Sequence, residues 1–257
     1  MKNRLTLAIL SAALLSTAAH AEDQAAAPAA PTPDWTFPGS VTIANDYIFR
    51  GLTQTNTNPA LQAGIEIDHA SGFYVGTWGS NISWLHDYNS AVTSSSLEID
   101  VYGGYRTKIA DTIGVDVGLY EYYYPGDYPK NVGYKLPYTL EGYVALSYSF
   151  LSLKYSHTFT NLFGFADTKH SQYLDLSANY EFVPTWVLNA HIGRQKVQHF
   201  GAASYTDYKL GVTKNFDGGW ALAVAWYDTN ADEAVYTFAD GTFQGRSTGV
   251  ASLTKTF

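Results

Sequence analysis

The sequence predicts an all-β fold, an antiparallel transmembrane β-barrel of about 12 strands joined as an up-and-down meander. Three observations predict it: apolar and polar residues alternate along many segments, short and long connections alternate, and aromatic residues are abundant while charges are few. Of 257 residues, 46% are hydrophobic and 16% are aromatic, but only 15% are charged. A disordered chain would have more charge and fewer rings, so this composition excludes that class.

The composition also excludes three other classes. Because the chain has no cysteine, it is not a small disulfide-stapled protein. Beyond its N-terminal segment it has no run of about 20 apolar residues, so it is not a helical membrane protein. A net charge of −8 and a pI near 5.2 argue against sequence-independent nucleic-acid binding, and we expect no nucleic acid among its partners.

Residues 1–21 are predicted to be a secretory signal peptide. Lys2 and Arg4 supply the positive start, residues 5–15 form a short apolar run, and Ala19-His20-Ala21 is a small-x-small cleavage pattern. The apolar run is too short to span a bilayer core of ~30 Å. Cleavage near Ala21 would leave 13 basic and 23 acidic side chains, a formal charge of −10.

Two further segments follow the predicted signal peptide. Residues 22–34 are rich in Ala and Pro and lack large side chains, which predicts a flexible periplasmic tether. Residues 35–257 are predicted to form the barrel. Export through the periplasm together with this fold predicts a location in the outer membrane of a Gram-negative cell.

Period-two alternation, which is typical of a half-buried strand, recurs along residues 35–257. Between 61 and 68, for example, Leu61 and Ile65 alternate with Gln62 and Glu66. The twelve predicted strands begin near Ser40, Ala60, Phe73, Ser96, Ile113, Tyr138, Leu151, Gln172, Thr185, Tyr205, Trp220 and Arg246.

The predicted connections alternate between short and long. Short turns lie at 70–72, 149–150, 183–184 and 217–219, whereas long connections lie at 51–59, 83–95, 125–137, 160–171, 195–204 and 228–245. Outer-membrane barrels have short periplasmic turns and longer outer loops, while a soluble sandwich has no reason to place every long loop at one end. The connections therefore favour a membrane barrel.

Aromatic residues cluster at the predicted strand ends, which predicts two aromatic belts at the membrane interfaces. The rings concerned are Tyr47, Phe49, Trp84, Tyr120, Tyr122, Tyr123, Tyr124, Tyr138, Tyr148, Tyr180, Trp186, Trp220 and Trp226. A soluble all-β core could use the same rings, and it is the asymmetry of the loops that favours the membrane.

Three stretches and the C-terminus resemble a proteobacterial family of outer-membrane porins, the TorF type, whose members are of largely unknown function. The stretches are NDYIFRGLTQ at 45–54, GFYVGTWGSN at 72–81 and EIDVYGGY at 98–105, and the chain ends in Thr-Lys-Thr-Phe. The resemblance covers essentially the whole predicted barrel and is most specific in its N-terminal half. It implies an outer-membrane barrel with pore activity and supplies no catalytic or substrate-binding residues.

The polar face of each predicted strand would point into the barrel. The candidates for lining a pore are Asp46, Arg50, Glu66, Glu98, Asp100, Asp116, Glu141, Lys154, Asp175, His191 and Lys209. With Asp68, Asp207 and Arg106 added, nine inward acids stand against four inward bases. Two interpretations stay open: an acidic lumen that favours cations, or ion pairs such as Arg50 with Glu66 that lock the wall.

The predicted function is a porin that gives passive diffusion of small solutes, with a preference for cations, through a narrow pore. A 12-stranded barrel lies between barrels of about eight strands, which side chains fill, and barrels of about sixteen, which enclose a channel. The alternatives are a closed barrel that acts as a surface adhesion or assembly protein, and an outer-membrane lipid hydrolase.

The hydrolase has the least support in the sequence. His157 shares the lipid-facing phase of its strand, His191 faces inward, and no GxSxG pattern surrounds a serine. The sequence also has no CxxC, HExxH or glycine-rich phosphate loop, so we expect no cofactor, no metal and no catalytic residues. The expected partners are outer-membrane lipid, small solutes, and the barrel-assembly machinery through the C-terminal strand that ends in Phe257.

Overall fold

A computed structural model of the chain describes residues 34–88, 93–110, 112–130 and 134–257. The predicted signal peptide and all but the last residue of the predicted tether lie outside the described residues. Within these ranges, no helix has both the length and the apolar character needed to cross a membrane.

The described residues form fifteen strands and one α-helix. The strands are β1 (Trp35–Thr36), β2 (Gly39–Ala44), β3 (Ile48–Phe49), β4 (Leu52–Thr53), β5 (Ala60–His69), β6 (Phe73–Asn81), β7 (Leu97–Ile109), β8 (Ile113–Tyr123), β9 (Thr139–Tyr148), β10 (Leu151–Thr158), β11 (Gln172–Val183), β12 (Trp186–Lys196), β13 (Tyr205–Phe216), β14 (Trp220–Thr229) and β15 (Thr248–Thr256). The helix α1 (Trp84–Tyr88) follows β6, and short 3-10 helices occupy Gly201–Ala203 and Asp217–Gly219.

Twelve of these strands form one closed antiparallel barrel, which confirms the predicted fold class. From β5 to β15 each strand pairs with the next in chain order, and β2 joins β15 to β5. The small strand β1 pairs with the far end of β5. Pro38, between β1 and β2, has no N–H to donate to the ladder, and its ring therefore separates the two strands.

The seam between β15 and β2 closes the barrel. Thr42 and Thr254 are paired across it, and their hydroxyl groups share a buried hydrogen bond of 2.9 Å. Gly39 and Phe257 exchange two backbone hydrogen bonds of 3.0 Å. A Cβ on Gly39 would lie 2.6 Å from the Phe257 ring, so a larger residue at this position would require the ring to move.

Side chains alternate between the outer surface and the interior of the barrel. In β7, Leu97 and Val101 are exposed on the outside, whereas Glu98 and Asp100 are buried inside. The outer surface is a band of aliphatic and aromatic side chains that runs over all the barrel strands. Such a continuous apolar surface is unfavourable in water and favourable against hydrocarbon, so the outer face is suited to a bilayer.

The predicted strand starts lie within two residues of the observed ones. Seven of the twelve coincide, and the largest difference is at the last strand, predicted at Arg246 and observed at Thr248. The first predicted strand, which the pattern extends to residue 50, is longer than the observed β2. The chain instead leaves the barrel wall after Ala44, where the Asn45 side chain bonds to the backbone of Gly249 and Ala251.

The outward position of Val224, midway along β14 and 58% exposed, provides a test of the lipid-facing surface. Val224→Arg should lower the free energy of unfolding in lipid vesicles by about 2–4 kcal/mol, because the charge would lie near the bilayer midplane. Val224→Leu should change it by less than about 0.5 kcal/mol. Urea titrations of both variants measure the difference, and an Arg variant as stable as the parent would contradict this orientation.

Candidate functional site

An inward hairpin, made of β3, β4 and the turn between them, crosses the barrel near the end that carries the long connections, here called the outer end. Arg50 and Gly51 form the two-residue turn and have positive φ angles of 47° and 77°. Two positive φ angles are typical of a type I′ hairpin turn. Glycine adopts this conformation readily but arginine does not, so other contacts must hold Arg50 in place.

Those contacts lie on the far wall of the barrel. The Arg50 guanidinium donates to both carboxylate oxygens of Glu141 on β9, at 3.0 and 2.7 Å, and to the Gln195 amide oxygen on β12, at 2.9 Å. It also lies over the ring of Tyr173 on β11, 4.1 Å from the ring centroid. Burial lowers the pKa of Arg50, but the Glu141 carboxylate and the neighbouring Tyr122 and Tyr173 together raise it further, so Arg50 remains charged.

Gly51, the second residue of the turn, lies against the barrel wall at β13 and β14. A Cβ on Gly51 would lie 2.5 Å from the Cβ of Asp207 on β13 and 3.3 Å from that of Thr229 on β14. The turn therefore touches the inward faces of five strands, β9 and β11 to β14. The hairpin spans the interior of the barrel.

The base of the hairpin is fixed to the opposite side of the barrel. The Tyr47 hydroxyl donates to Glu98 on β7 at 3.1 Å, and the Tyr47 ring meets the Trp78 ring of β6 edge-on. The Phe49 ring meets Tyr122 of β8 edge-on, with centroids 5.5 Å apart. These aromatic contacts bury the sides of the hairpin among rings.

The outer connections hold the hairpin from the outside. The Thr53 N–H donates to the Gln244 backbone oxygen at 3.0 Å, and the Gln244 amide donates back to the Thr53 oxygen at 2.8 Å. The backbone N–H groups of Ser83 and Trp84, at the start of α1, donate to the Gln54 oxygen. The hairpin is thus bonded to the connection after β14 and to the one after β6.

Asp46 is buried at the root of the hairpin. Its carboxylate accepts hydrogen bonds from the Thr53 and Thr55 hydroxyls, at 2.5 and 3.0 Å. Burial raises the pKa of Asp46, and these two hydrogen bonds and the charge of Arg246 partly oppose the rise. The Asp46 carboxylate therefore links the chain before β3 to the end of β4 and the residues that follow it.

A second inward cluster, on β5 to β8, lies nearer the end with the short turns. Arg106 is paired with Glu66 and lies 3.6 Å from Asp68 and 3.3 Å from Asp116. Its guanidinium lies over the Tyr74 ring, 3.6 Å from the centroid. Three acidic side chains surround one guanidinium, so acidic groups outnumber basic groups around Arg106.

The predicted pair between Arg50 and Glu66 is wrong. Glu66 is bound by Arg106, and Arg50 is bound by Glu141. The prediction assumed that Arg50 extends the first barrel strand, beside Glu66 on β5. The inward hairpin instead carries Arg50 across the interior to the opposite wall.

His191 on β12 lies between two carboxylates. Its Nδ1 is 2.6 Å from Asp175 and its Nε2 is 2.7 Å from Asp207, while the Ser177 hydroxyl is 3.3 Å from Nδ1. This has the outline of a Ser-His-Asp triad. However, the Ser177 hydroxyl donates to Asp175 at 2.6 Å, and an imidazole that donates to two carboxylates has no free nitrogen to accept the serine proton. The group is an ion-pair network.

Two further carboxylates are bound by tyrosines. Glu98 and Asp100, on β7, are 2% and 1% exposed. Glu98 accepts from Tyr47, and Asp100 accepts from the Tyr120 hydroxyl at 2.8 Å. Their burial separates these two acids from the solvent inside the barrel.

The two lysines among the candidates for pore lining lie over aromatic rings. Lys154 on β10 has its ammonium 4.0 Å from the Tyr143 ring centroid, and Lys209 on β13 has its ammonium 5.5 Å from that of Tyr227. Such contacts stabilise a cation without an ion pair.

Of the eleven candidates for pore lining, nine lie on the inner side of the barrel wall, Arg50 lies in the inward hairpin, and Asp46 lies just before it. Their part in a conducting path remains a prediction. Sequence reasoning missed the aromatic and amide partners, above all Tyr173 and Gln195. Both lie on the inward face of their strands. Alternation with period two predicts that face, but it does not predict which residues meet across the interior.

The aromatic residues divide into two groups, and the belt prediction is wrong for one of them. Exposed on the outer surface are Tyr123, Tyr148, Tyr180, Trp186, Trp220 and Trp226. Buried inside the barrel or its outer mouth are Tyr47, Trp84, Tyr122 and Tyr124, with Phe49, Tyr120 and Tyr138 packed against them. Neighbouring residues of a strand face opposite sides, so rings close to a strand end need not reach the membrane.

A cavity of about 580 Å³ lies at the outer end, between the inward hairpin and the outer connections. Its lining is mostly hydrophobic and includes the rings of Trp84, Tyr88, Tyr124, Phe163 and Tyr236. Phe49 and Leu52 of the hairpin form part of the lining. A space of only about 20 Å³ lies next to Asp100 and Lys154, so the interior is closely filled there.

The closed barrel, its apolar outer surface and its charged interior define a class: a transmembrane β-barrel with the fold of outer-membrane porins. The chain belongs to the family described as "Bacterial protein of unknown function (Gcw_chp)", whose model matches residues 26–257. The resemblance to the TorF type remains a prediction. A comparison with curated proteins finds no match.

Solved structures of porins share this fold at low sequence identity. The KdgM porin is 10% identical with a TM-score of 0.52, and the match covers 86% of this chain and 97% of that porin. For the NanC porin the identity is 12% and the TM-score 0.53, with coverage of 85% and 98%. KdgM in complex with disordered oligogalacturonate is 11% identical with a TM-score of 0.50, and the coverage is 86% and 97%.

The pair of Arg50 and Glu141 predicts a strong coupling in stability. Arg50→Met should lower the free energy of unfolding by about 3–5 kcal/mol, because it leaves a buried carboxylate without its partner. Adding Glu141→Gln should restore part of that loss, with a coupling energy of about 1–3 kcal/mol. Urea unfolding of the parent, both single variants and the double variant measures it, and strictly additive losses would contradict the pairing.

Proposed function

We propose that this chain is an outer-membrane porin that gives passive diffusion of small solutes through a narrow pore. The observation that carries the proposal is the closed 12-stranded barrel with an apolar outer surface and a charged interior, the same fold as the KdgM and NanC porins. The inward hairpin narrows the interior near the outer end, which favours small solutes over large ones.

We further propose a preference for cations. Most inward carboxylates are paired or buried, but the cluster around Arg106 has three carboxylates for one guanidinium. The side chains of Glu66 and Asp68 in this cluster are 13% and 32% exposed to the interior. An uncompensated negative charge inside a low-dielectric wall attracts cations and repels anions.

Export and assembly belong to the same proposal. The signal peptide would direct the chain through the periplasm, with cleavage near Ala21, and outer-membrane lipid would surround the barrel. The Phe257 ring is 69% exposed at the seam, where barrel-assembly machinery could bind it. We propose no catalytic activity, because the site built around His191 has no nitrogen free to act as a base.

A closed barrel that acts through its outer connections is the second candidate function. It is favoured by the hairpin, which is bonded to both sides of the interior, and by the close filling around Asp100 and Lys154. Such a protein would use its outer loops for adhesion or assembly. The two candidates differ in one measurable property, the conductance.

Planar-bilayer recordings under a KCl gradient test the porin proposal. We expect small single-channel conductances and a reversal potential of the sign for cation preference. Asp68→Asn should weaken that preference, because it removes the most exposed carboxylate of the Arg106 cluster. Glu233→Gln, which changes an exposed acid of an outer connection, is the matched control and should leave the reversal potential unchanged.

Two results would contradict the proposal. A reversal potential of the opposite sign would remove the cation preference. Folded protein that inserts into the bilayer without conductance would favour the closed barrel.

Release of the hairpin should raise the conductance severalfold. Arg50→Met removes the bond to Glu141, and Gly51→Ala places a Cβ against Asp207, so both variants should displace the turn from the wall. Gly241→Ala is the matched control, since Gly241 also has a positive φ, of 87°, but has open space around it. Equal conductance in all three variants would show that the hairpin does not restrict the pore.

A further inference from the structure

We propose that the outer cavity is a binding site for a small aromatic molecule that is neutral or carries one negative charge. The proposal deepens the porin function and rests on it, because a site at the mouth of a channel is the first that a solute meets. It concerns the binding of an organic molecule at the outer end and is separate from the preference for small cations, which the Arg106 cluster sets near the other end. The argument uses the size of the cavity, the chemistry of its lining and its charge.

The size and lining suit a compact ring system. The cavity volume of about 580 Å³ lies within the range of small-molecule pockets, about 300–1,000 Å³. Rings line it on several sides: Trp84 and Tyr88 on α1, Tyr124 after β8, Phe163 after β10 and Tyr236 after β14. Aromatic rings bind a planar ligand by stacked and edge-on contacts, which add to the free energy gained by burying apolar surface.

The lining also offers a few polar groups. Gln54, Gln195 and Gln244 contribute amide groups, and each is already engaged in a hydrogen bond within the protein. The buried indole N–H of Trp84 has no hydrogen-bond partner among the described residues. A pocket that is mainly apolar, with a small number of polar groups, is typical of a ligand site.

The charge of the lining favours an anion over a cation. Lys135 is the one charged side chain among the described lining residues, and no described lining residue is a carboxylate. The acids of the interior lie in other positions, where Asp46 is bound by threonines and Glu141 by Arg50. Lys135 is an exposed residue of this lining, so a ring that bears a carboxylate would bind with its charge on the Lys135 side and its apolar part against the rings of the lining.

The floor of the cavity links it to the constriction. Phe49 and Leu52, which flank the turn of the inward hairpin, both line the cavity. A bound molecule would thus contact the same hairpin that Arg50 fixes to the far wall. This position distinguishes the site from a groove among loops that has no connection with the interior.

Calorimetry with 2-naphthoate tests the site. The barrel is reconstituted in lipid nanodiscs, and empty nanodiscs provide the reference for partition into lipid. We expect saturable binding of one 2-naphthoate per barrel, weaker binding of 2-naphthol, and the weakest binding of 2-naphthylmethylammonium. Lys135→Gln should weaken naphthoate binding by up to about fivefold, as for a partly solvated ion pair, and leave naphthol binding unchanged.

Two variants serve as controls. Lys130→Gln changes a lysine of the same outer connection that is not part of the lining, and it should leave all three affinities unchanged. Ala166→Trp fills the cavity from an exposed lining position and should abolish binding of both naphthoate and naphthol. Urea unfolding shows whether each variant retains the folded barrel.

Several results would overturn the proposal. Heats equal to those of empty nanodiscs would exclude the site, and tighter binding of the ammonium compound would exclude the assigned charge. Binding that survives Ala166→Trp would place the ligand elsewhere. Conductance without binding refutes this site and leaves the porin function intact, whereas binding without conductance supports the site and refutes the porin function.

Discussion

The contact between Arg50 and Glu141 is the interaction on which the arrangement of the interior depends. Arg50 occupies a left-handed turn position that disfavours arginine, and two hydrogen bonds to a buried carboxylate on the opposite wall compensate for it. A buried charge without its partner is strongly destabilising, so each residue makes the other necessary. As a result the hairpin is fixed across the barrel, between the outer cavity and the closely filled region beside Asp100 and Lys154.

The barrel itself could be predicted from the sequence because its constraints are local. Outward and inward residues alternate with period two, and one wrong step would place Glu98 or Asp116 against lipid. The lengths of the connections then predict which end of the barrel faces outward. Alternation does not predict a strand end that depends on a side-chain contact: Asn45 bonds to the neighbouring strand, and the first barrel strand ends there.

The interior could be predicted only in part. Alternation correctly placed Glu141, Asp175 and His191 on the inner side, but it says nothing about which residues meet across the barrel. The type I′ turn was not expected either, because Arg-Gly is an unusual pair for it, while Asn-Gly is the common one. A prediction that lacks the hairpin pairs Arg50 with Glu66 and not with Glu141. It also places the rings around Tyr122 at the membrane interface, although they are buried inside the barrel.

The seam has a consequence for the kinetics of folding. The hydrogen bond between Thr42 and Thr254 joins residues 212 positions apart in the chain, and no shorter connection can replace it. Pairings of such high sequence separation form slowly, since the entropy of closing a long loop is lost before any contact is gained. Until β15 meets β2, both strands have unpaired edges, and the nascent barrel depends on protection from aggregation during that interval.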